Sequence, residues 1–488
     1  LVKYLAMALC GSFIGFFASI PFSKLLLDNV SKSIVLKGQN TILTNLLCCI
    51  AVVLIIMLFC YLCTSKVKKF TPIDAIRNGQ TGERYTKKSF LKLSKSKAKP
   101  AFFMALNDIL SAPRRYLSII FTYILCMIIV LVLVNTANTL RSGELVTTLG
   151  TYKSDVYFNA KTNELMDCIT IGEKEPFYEL IDDIEEEIGA LGMPCRASVE
   201  VYFKLNYSHG DKSFKSLSPF GINTTTDMYE YHEGTAPQNP NEIAITPMVA
   251  QKLDAKIGDT ITVSLPSGDK ECIVTGLYQS MNNLGEGVRL HQDTDIDFSY
   301  ISGGFAVQFS FTDSPDEKTI AQRIEKLKSI YGDEEVMTAG EMVETVTGVA
   351  AAIDAVKYLT LTLVIIIIAL VTVLMERSFI AKELGEIATL KAIGFKTSSI
   401  VLWHSMRFIY IGIASSIVAA LISAPVTKLT INPIFKMMGA AFGVKFRIVP
   451  LEVFLIYPAI LLVATIISAM LTSLYTKSIT ASQAAGIE

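Results

Sequence analysis

The chain has 488 residues, of which 51% are apolar and 18% charged. Its 44 basic and 45 acidic residues nearly cancel, but they are segregated: residues 141–350 contain 16 basic and 35 acidic residues, and the remainder is net positive. This segregation argues against a single soluble globule, a disordered chain and a compact nucleic-acid-binding protein. It favours a membrane protein with one large soluble insertion.

Six uncharged runs are long enough, or nearly so, to cross a bilayer as helices, which takes about 20 apolar residues. The aliphatic run Val364–Ile368 in the fourth suits lipid better than a soluble core. The sequence therefore predicts an α-helical integral membrane protein with six spans. In chain order the runs are Tyr4–Ser23, Gly38–Ser65, Tyr116–Leu140, Tyr358–Met375, Phe408–Thr427 and Val453–Thr476.

Charge predicts the orientation of these spans. Residues 65–115 carry 13 Lys and Arg against three acidic residues, which indicates the cytoplasmic side. Alternation then places 141–357 outside and both 376–407 and the tail 477–488 inside. The loop 428–452 is assigned outside because the signal of residues 65–115 is stronger, although this loop carries Lys428, Lys436, Lys445 and Arg447.

The acidic segment has the pattern of an α+β domain. Asn241–Thr246, Thr260–Val263 and Glu271–Thr275 read as strands, and Ser314 is expected to cap a helix. The acidic run Asp182–Glu187 is interpreted as the solvated face of a helix, with cation binding as the weaker alternative. The apolar face of that helix would consist of Phe177, Leu180, Ile181, Ile184 and Ile188.

The end of the acidic segment continues its apolar periodicity into the fourth span without a proline. We therefore predict one long helix, a stalk followed by a span. Such a helix either transmits displacement or serves as a plain tether, and the sequence leaves both open. The stalk residues are Val343, Val346, Val349 and Ile353.

An internal repeat relates the two ends of the chain. Ser19–Leu25 recurs as Ser423–Leu429, and the same offset relates two faces of small residues on which helices could pack closely. The first copy has neither an opening span nor an outside domain, and the chain begins at Leu1 beside an apolar run. We therefore expect a truncated N-terminus. The packing residues are Gly11, Gly15 and Ser19 in one copy and Ser415, Ala419 and Ser423 in the other.

Motifs of enzymes and cofactor sites are missing from the sequence. It has no GxxxxGK[ST], HExxH or GxSxG, and only four histidines. His291–Asp297 resembles part of a calcium loop but lacks its glycine and closing glutamate, so solvated acids are the preferred reading. Nine scattered cysteines do not form a disulfide framework, although a Cys168–Cys195 pair stays open. The chain is predicted not to be an enzyme and to hold no metal.

Residues 376–400 contain a short amphipathic helix that ends at Gly394. This helix either lies on the membrane surface or docks into a groove on a cytoplasmic partner. Its apolar positions are Leu384, Ile387, Leu390 and Ile393, and its charged positions, expected elsewhere on the helix, are Glu383, Glu386 and Lys391.

At this point the sequence resembles a known family. Glu386–Gly394 is similar to the signature of FtsX-like permeases, the membrane subunits of MacB-type ABC transporters. Met104–Arg115 resembles the amphipathic helix that precedes the first span of a repeat, and the segments between Asn241 and Gly276 resemble the extracytoplasmic core domain. Thr71–Arg77 resembles the tail after a repeat, from which the second copy departs at Ala481.

The resemblance implies a bacterial cell-membrane protein that works with a separate ABC ATP-binding subunit. That subunit would bind ATP and magnesium, so this chain itself needs no cofactor, and it would push on the helix around Glu383–Gly394. The outside domain would then export or extract a peptide or lipid-like amphiphile. Alternatively, it detects an antimicrobial peptide or activates a cell-wall enzyme without net transport. The lipid bilayer and a second permease copy are the other implied partners, and nucleic acid is not one.

The predicted organisation has six segments. They are the last two spans of a first repeat (1–64), a basic cytoplasmic linker with an amphipathic helix (65–115), the first span of the second repeat (116–140), the extracytoplasmic α+β domain of MacB core type with its stalk (141–350), a three-span permease domain (351–476) and a cytoplasmic tail (477–488).

Overall fold

A computed structural model describes residues 2–30, 41–67, 99–348 and 350–479. The middle of the basic linker, with the Thr71–Arg77 motif, the stalk residue Val349 and most of the predicted tail lie outside the described residues. The chain forms two compact units. The membrane unit comprises Leu1–Val134, Ala351–Ser423 and Pro450–Glu488, and the sheet unit comprises Asn135–Ala350 and Ala424–Val449.

In chain order the α-helices are α1 (Val2–Val30), α2 (Thr41–Val67), α3 (Pro100–Ser111), α4 (Pro113–Leu140), α5 (Val146–Leu149), α6 (Thr162–Ile171), α7 (Glu175–Ala190), α8 (Pro247–Leu253), α9 (Glu317–Tyr331), α10 (Ala339–Thr347), α11 (Ala350–Lys382), α12 (Leu384–Ala392), α13 (Thr397–Met437) and α14 (Tyr457–Ser473). The strands are β1 (Val156–Phe158), β2 (Cys195–His209), β3 (Lys212–Ile222), β4 (Glu233–Gly234), β5 (Glu242–Ile245), β6 (Thr260–Leu265), β7 (Gly268–Leu277), β8 (Val288–Leu290), β9 (Ile301–Phe311) and β10 (Val336–Met337).

Four described helical segments are long and apolar enough to cross a membrane, and they coincide with the third to sixth predicted spans. The first two predicted spans fall in α1 and α2, whose described apolar parts, Leu5–Pro21 and Ile42–Leu58, are shorter. The described residues therefore contain four candidate spans, by length and composition, and a sheet-rich domain. The four long segments are Pro113–Leu140, Ile353–Lys382, Thr397–Met437 and Glu452–Ser478.

The two faces of small residues differ in their surroundings. Ser415, Ala419 and Ser423 are buried, and the Ser415 hydroxyl donates a hydrogen bond to the Ile120 carbonyl of α4 at 3.4 Å. In the other copy, a Cβ atom at Gly11 or Gly15 would meet no described atom within 4 Å. Helix α1 instead turns Ser19 toward α2, where its hydroxyl accepts a hydrogen bond from Asn45 at 3.0 Å.

The sheet unit is built on one ten-stranded sheet with the order β10-β1-β9-β2-β6-β7-β5-β8, to which β3 adds beside β2 and β4 beside β7. All pairs are antiparallel except β5 with β7. The three predicted strands are β5, β6 and β7, each with bounds shifted by a few residues. Helices and strands share one core, as expected for an α+β fold.

Helix α7 confirms the predicted amphipathic pattern, because its five predicted apolar residues are all buried in that core. Cys168 and Cys195 are also buried there, as free thiols rather than a disulfide. Burial raises the pKa of Cys195 to about 12, which keeps this thiol protonated at neutral pH.

The predicted start of α9 is wrong by two residues. The helix begins at Glu317, and its cap is Asp316, whose side chain accepts a hydrogen bond from the Thr319 amide at 2.9 Å. Ser314 lies outside the helix with a φ of 51°. An aspartate next to the first helical residue is as good a cap as serine, so the nearer of the two is used.

The prediction of one continuous stalk helix is also wrong. Helix α10 begins with a capping box between Thr338 and Glu341 and ends at Thr347, because Gly348 adopts a left-handed conformation with a φ of 62°. Glycine reaches this conformation without a Cβ penalty and so ends helices readily. Of the stalk residues, Val343 is buried in the sheet unit, Val346 is 46% exposed and Ile353 belongs to the membrane unit.

Candidate functional site

The predicted amphipathic helix exists as α12, which we call the coupling helix. It spans Leu384–Ala392, between the long helices α11 and α13. The amide of Phe395 bonds to the Leu390 carbonyl at 2.9 Å, and Gly394 has a φ of 93°. The predicted glycine stop is therefore confirmed as a left-handed helix end.

One face of the coupling helix is buried against other parts of the membrane unit. Ile387 and Ala388 are inaccessible, and Leu384 and Leu390 pack at the edge of the same apolar cluster. This face is occupied by protein, which weighs against the alternative that the helix lies with its apolar face in the lipid interface. The other buried members of the cluster are Ala101, Ala105, Ile380, Ile400, Trp403, Met406 and Ile479.

The opposite face of the coupling helix is exposed, and it includes one residue that the sequence assigned to the apolar face. Ile393 is 73% exposed. Steps of three residues drift around a helix of 3.6 residues per turn, so Ile393, nine residues after Leu384, falls on the opposite side. Glu386 and Thr389 are exposed on the same short segment. The segment therefore has one face buried in the apolar cluster and one face exposed.

Four side chains, which we call the ion cluster, tie the coupling helix to its neighbours. Arg407 of α13 is 1% exposed and donates hydrogen bonds to Glu383 at 2.7 Å and to Asp108 of α3 at 2.5 Å. Trp403 donates to Asp108 at 2.9 Å, and the Arg407 guanidinium lies 4.4 Å from the Trp403 ring centroid. Displacing the coupling helix therefore requires α3 and α13 to move or the cluster to break.

The sequence analysis expected Glu383 on the helix, away from its apolar positions. It is the residue before the coupling helix, and it is 7% exposed. Burial raises the pKa of Glu383, and the Arg407 guanidinium acts in the opposite direction. The sequence analysis missed Arg407, Asp108 and Trp403 altogether. The only signals were a lone arginine at the edge of the fifth uncharged run and a lone aspartate in the amphipathic segment before the third.

Lys391 also has an internal role. Its ammonium group donates to the carbonyls of Thr476 at 2.7 Å and Ile479 at 2.6 Å, at the end of the last membrane helix. A cation at this position satisfies carbonyls that a helix end leaves without partners. Lys391 thus links the coupling helix to the sixth predicted span.

The sheet unit has a corresponding attachment at Met438–Val449, which we call the returning loop. The side-chain amide of Gln279 donates to the Gly443 carbonyl at 3.2 Å and accepts from the Phe442 amide at 3.3 Å. The Val444 amide donates to Asn432 of α13 at 3.0 Å. These bonds hold the loop to the sheet and to the end of α13.

Charge complementarity explains one of the basic residues of the loop 428–452, which was assigned outside although basic residues favour the cytoplasmic side. Lys445 pairs with Glu230 of the sheet unit at 2.7 Å. Burial opposes ionisation of Glu230, but the Lys445 ammonium holds the pKa of this carboxyl below its usual value. A basic loop is therefore compatible with an acidic domain on the same side of the membrane.

Gly439 of the returning loop supports a first prediction. It has a φ of 105°, and a Cβ atom there would collide with the backbone of Gly285. We expect Gly439→Ala to lower the free energy of unfolding by about 1–3 kcal/mol through strain, with an added loss from the collision. Gly192→Ala is the control, since Gly192 has a φ of 81° with nothing within 4 Å. Denaturant unfolding should rank Gly439→Ala clearly below this control, and equal stabilities would contradict the close contact.

His232 supports a second prediction, on pH. Its ring stacks on Phe442 at 4.5 Å, and burial lowers its pKa, while Glu230 and Glu233 oppose and Lys445 adds to the shift. The unfolded state therefore binds a proton more readily, so this residue stabilises less as the pH falls below its usual pKa of about 6.5. When the pH is lowered from 7.5 to 5.5, we expect the melting temperature of His232→Phe to fall less than that of the unsubstituted protein. Equal falls in melting temperature would show that His232 does not contribute to the pH dependence of stability.

The calcium-like segment has a local structural use. Asp297 caps the short helical turn Phe298–Tyr300 by accepting from the Ser299 amide at 2.9 Å. Among the described residues, no group of three or more His, Cys, Asp or Glu side chains is arranged to hold a metal ion.

Comparison with known proteins bears on the helices around this site. Residues 358–481, which contain the coupling helix, α13 and α14, match the family described as FtsX-like permease C-terminal. This segment is an FtsX-like permease domain. The ion cluster joins the FtsX-like domain to α3, which precedes the matched region.

Two solved structures are also similar to part of the chain. The extracellular domain of the noncanonic ABC-type transporter YknZ from Gram-positive bacteria is 14% identical, covering 32% of this chain and 88% of that one with a TM-score of 0.21. A domain of a permease protein from Porphyromonas gingivalis is 11% identical, covering 29% and 68% with a TM-score of 0.20. A comparison with curated proteins finds no match.

Proposed function

We propose that this protein is the membrane subunit of an ABC transporter and that a separate ATP-binding subunit docks on its coupling helix. The observation that carries the proposal is the two-faced character of that helix. Ile387 and Ala388 anchor one face in the FtsX-like domain, while Glu386, Thr389 and Ile393 are exposed on the other. ATP and magnesium would be bound by the partner, because the sequence has no phosphate-binding loop.

Force applied to the coupling helix would be relayed along α13. This helix has 41 residues, with Pro425 and Pro433 inside it. It carries Arg407 of the ion cluster near one end and Asn432, which holds the returning loop, near the other. The proposed stalk Val343–Ile353 would act as a hinge rather than a rod, since its helix is interrupted at Gly348.

The finer architecture belongs to the same proposal. We propose six spans, a sheet unit of MacB core type on the extracytoplasmic face of a bacterial cell membrane, and a second permease copy as a further partner. The basic residues 65–115 support this orientation through their expected cytoplasmic location. The net acidic character of residues 141–350 agrees with a translocated domain.

The substrate class favoured by this arrangement is a peptide or lipid-like amphiphile, exported or extracted by movement of the sheet unit. A second candidate function is mechanotransmission, in which the sheet unit senses an antimicrobial peptide or activates a cell-wall enzyme without net transport. Both candidates use the attachment of the returning loop at Gln279, and they differ in whether substrate crosses the membrane.

The test is to co-express the chain with the ATP-binding subunit encoded in a neighbouring reading frame. Association, together with ATP hydrolysis that rises when a candidate amphiphile is added, is the expected result. No association and unchanged hydrolysis would overturn the proposal. Measuring amphiphile flux in sealed vesicles then separates transport from signalling, because only transport accumulates substrate.

A further inference from the structure

A pocket of about 250 Å³ lies in the sheet unit, and its lining includes Ser280 and Asn282, which follow Gln279 in the chain. This volume is just below the range of about 300–1,000 Å³ for pockets that hold drug-sized molecules, so it suits one side chain or one small head group. The residues that matter for its chemistry are Leu149, Glu200, Tyr202, Leu217, Pro219 and Glu286.

Glu200 on β2 is the decisive residue, because it is only 2% exposed yet incompletely hydrogen-bonded. Thr151 donates to it at 3.0 Å and Tyr229 at 3.3 Å, and both bonds end on Oε2. Within the described parts of the chain, no donor reaches Oε1. Glu200 lines the pocket, so a hydrogen-bond donor on a ligand could reach this oxygen.

Arg289 is the nearby cation, but it is engaged elsewhere. Its guanidinium stacks 3.4 Å from the Tyr229 ring centroid and donates to the Gly150 carbonyl. Burial raises the pKa of Glu200 even though the charge of Arg289 opposes this shift. Within the described residues, the donors to the Glu200 carboxylate are therefore Thr151 and Tyr229 rather than Arg289.

The rest of the pocket matches an ammonium group on an apolar stem. Glu286, whose charge is offset by Lys252, adds a second carboxylate to the lining of the pocket. The hydroxyl of Tyr202, which accepts from Asn282 at 3.4 Å, is a further polar contact. Leu149, Leu217 and Pro219 supply the apolar wall along which methylene groups can lie.

We propose that this pocket binds a primary ammonium group of a cationic peptide, on either a lysine side chain or a free N-terminus. The meaning of this site as a substrate or sensing site rests on the proposed function. The binding itself does not, because it can be measured with this chain alone and without the ATP-binding partner.

The experiment uses the full chain in nanodiscs and fluorescence anisotropy of labelled short peptides. One peptide carries a lysine and an acetylated N-terminus, a second replaces that lysine by norleucine, and a third has norleucine with a free N-terminus. We expect at least one ammonium-bearing peptide to bind about tenfold more tightly than the doubly blocked one, as a charged hydrogen bond predicts. Which of the two binds distinguishes the lysine from the terminal source.

Variants locate the binding. Glu200→Gln is expected to reduce the ammonium preference to less than about twofold, whereas Glu173→Gln, at an exposed glutamate of the same unit, should keep it. Leu217→Trp fills the pocket without touching the buried carboxylate and should also abolish the preference, even if Glu200→Gln folds poorly. Equal binding of all three peptides, or a preference that survives Leu217→Trp, would overturn the proposal.

Discussion

Replacing Arg407 by methionine is expected to lower the free energy of unfolding by about 3–5 kcal/mol, because the buried Glu383 carboxylate and Asp108 would lose their shared cation. The measurement is denaturant unfolding of the purified chain in detergent. Intrinsic fluorescence suits it well, since Trp403 is the single tryptophan of the sequence and stacks on Arg407. Its emission should change in Arg407→Met even before unfolding.

Charge-matched controls isolate the ion cluster as the cause. Arg377→Met removes an exposed arginine of α11 and should change stability by less than about 0.5 kcal/mol. The double variant Arg407→Met with Glu383→Gln should recover part of the loss, because it no longer buries a carboxylate whose remaining cation is the partly exposed Arg115, 3.6 Å away. Arg407→Lys should recover little, since lysine lacks the planar fork that reaches two acids. A loss no larger than that of Arg377→Met would contradict the cluster.

Replacing Ile393 by aspartate is expected to weaken binding of the ATP-binding subunit about tenfold or more, while leaving unfolding nearly unchanged. Ile393 is 73% exposed, so no core contact is lost, but a new carboxylate would have to be desolvated in the docked complex. The measurements are the dissociation constant of the two subunits and the stimulated rate of ATP hydrolysis.

Two further variants separate docking from folding. Ile171→Asp places the same charge at a comparably exposed isoleucine of the sheet unit and should leave partner binding intact. Ile387→Asp puts it in the buried face of the coupling helix and should destabilise the chain first. Unchanged partner binding in Ile393→Asp would mean that the exposed end of the coupling helix is not the docking surface.

Local patterns account for the elements that sequence analysis located correctly. The uncharged runs predicted four of the described helices, and the periodicity of Leu384, Ile387 and Leu390 with Gly394 predicted the coupling helix. The same method failed at Gly348, where the valine repeat outweighed a glycine stop. It failed again at Ile393, because four apolar residues spaced by three drift around a helix of 3.6 residues per turn, and the last no longer shares the face of the first.

The contacts that make the site were not predictable in this way. Asp108 and Arg407 are 299 residues apart, and Gln279 and Phe442 are 163 apart. Periodicity reports only which face of one element avoids water, so it cannot say which distant polar groups meet. Glu383 is buried because it contacts Arg407 of another helix. Without such a contact, a charged residue beside a helix is expected in solvent.

The sequence by itself therefore determined that this is a membrane protein with an acidic α+β insertion and a short amphipathic helix, because hydrophobicity and charge act residue by residue. Only the tertiary structure decided that Arg407 joins two acids from different helices, that the returning loop is fastened to the sheet, and that Glu200 is buried beside a pocket. Each of these depends on groups brought together by folding, where desolvation makes a partner necessary.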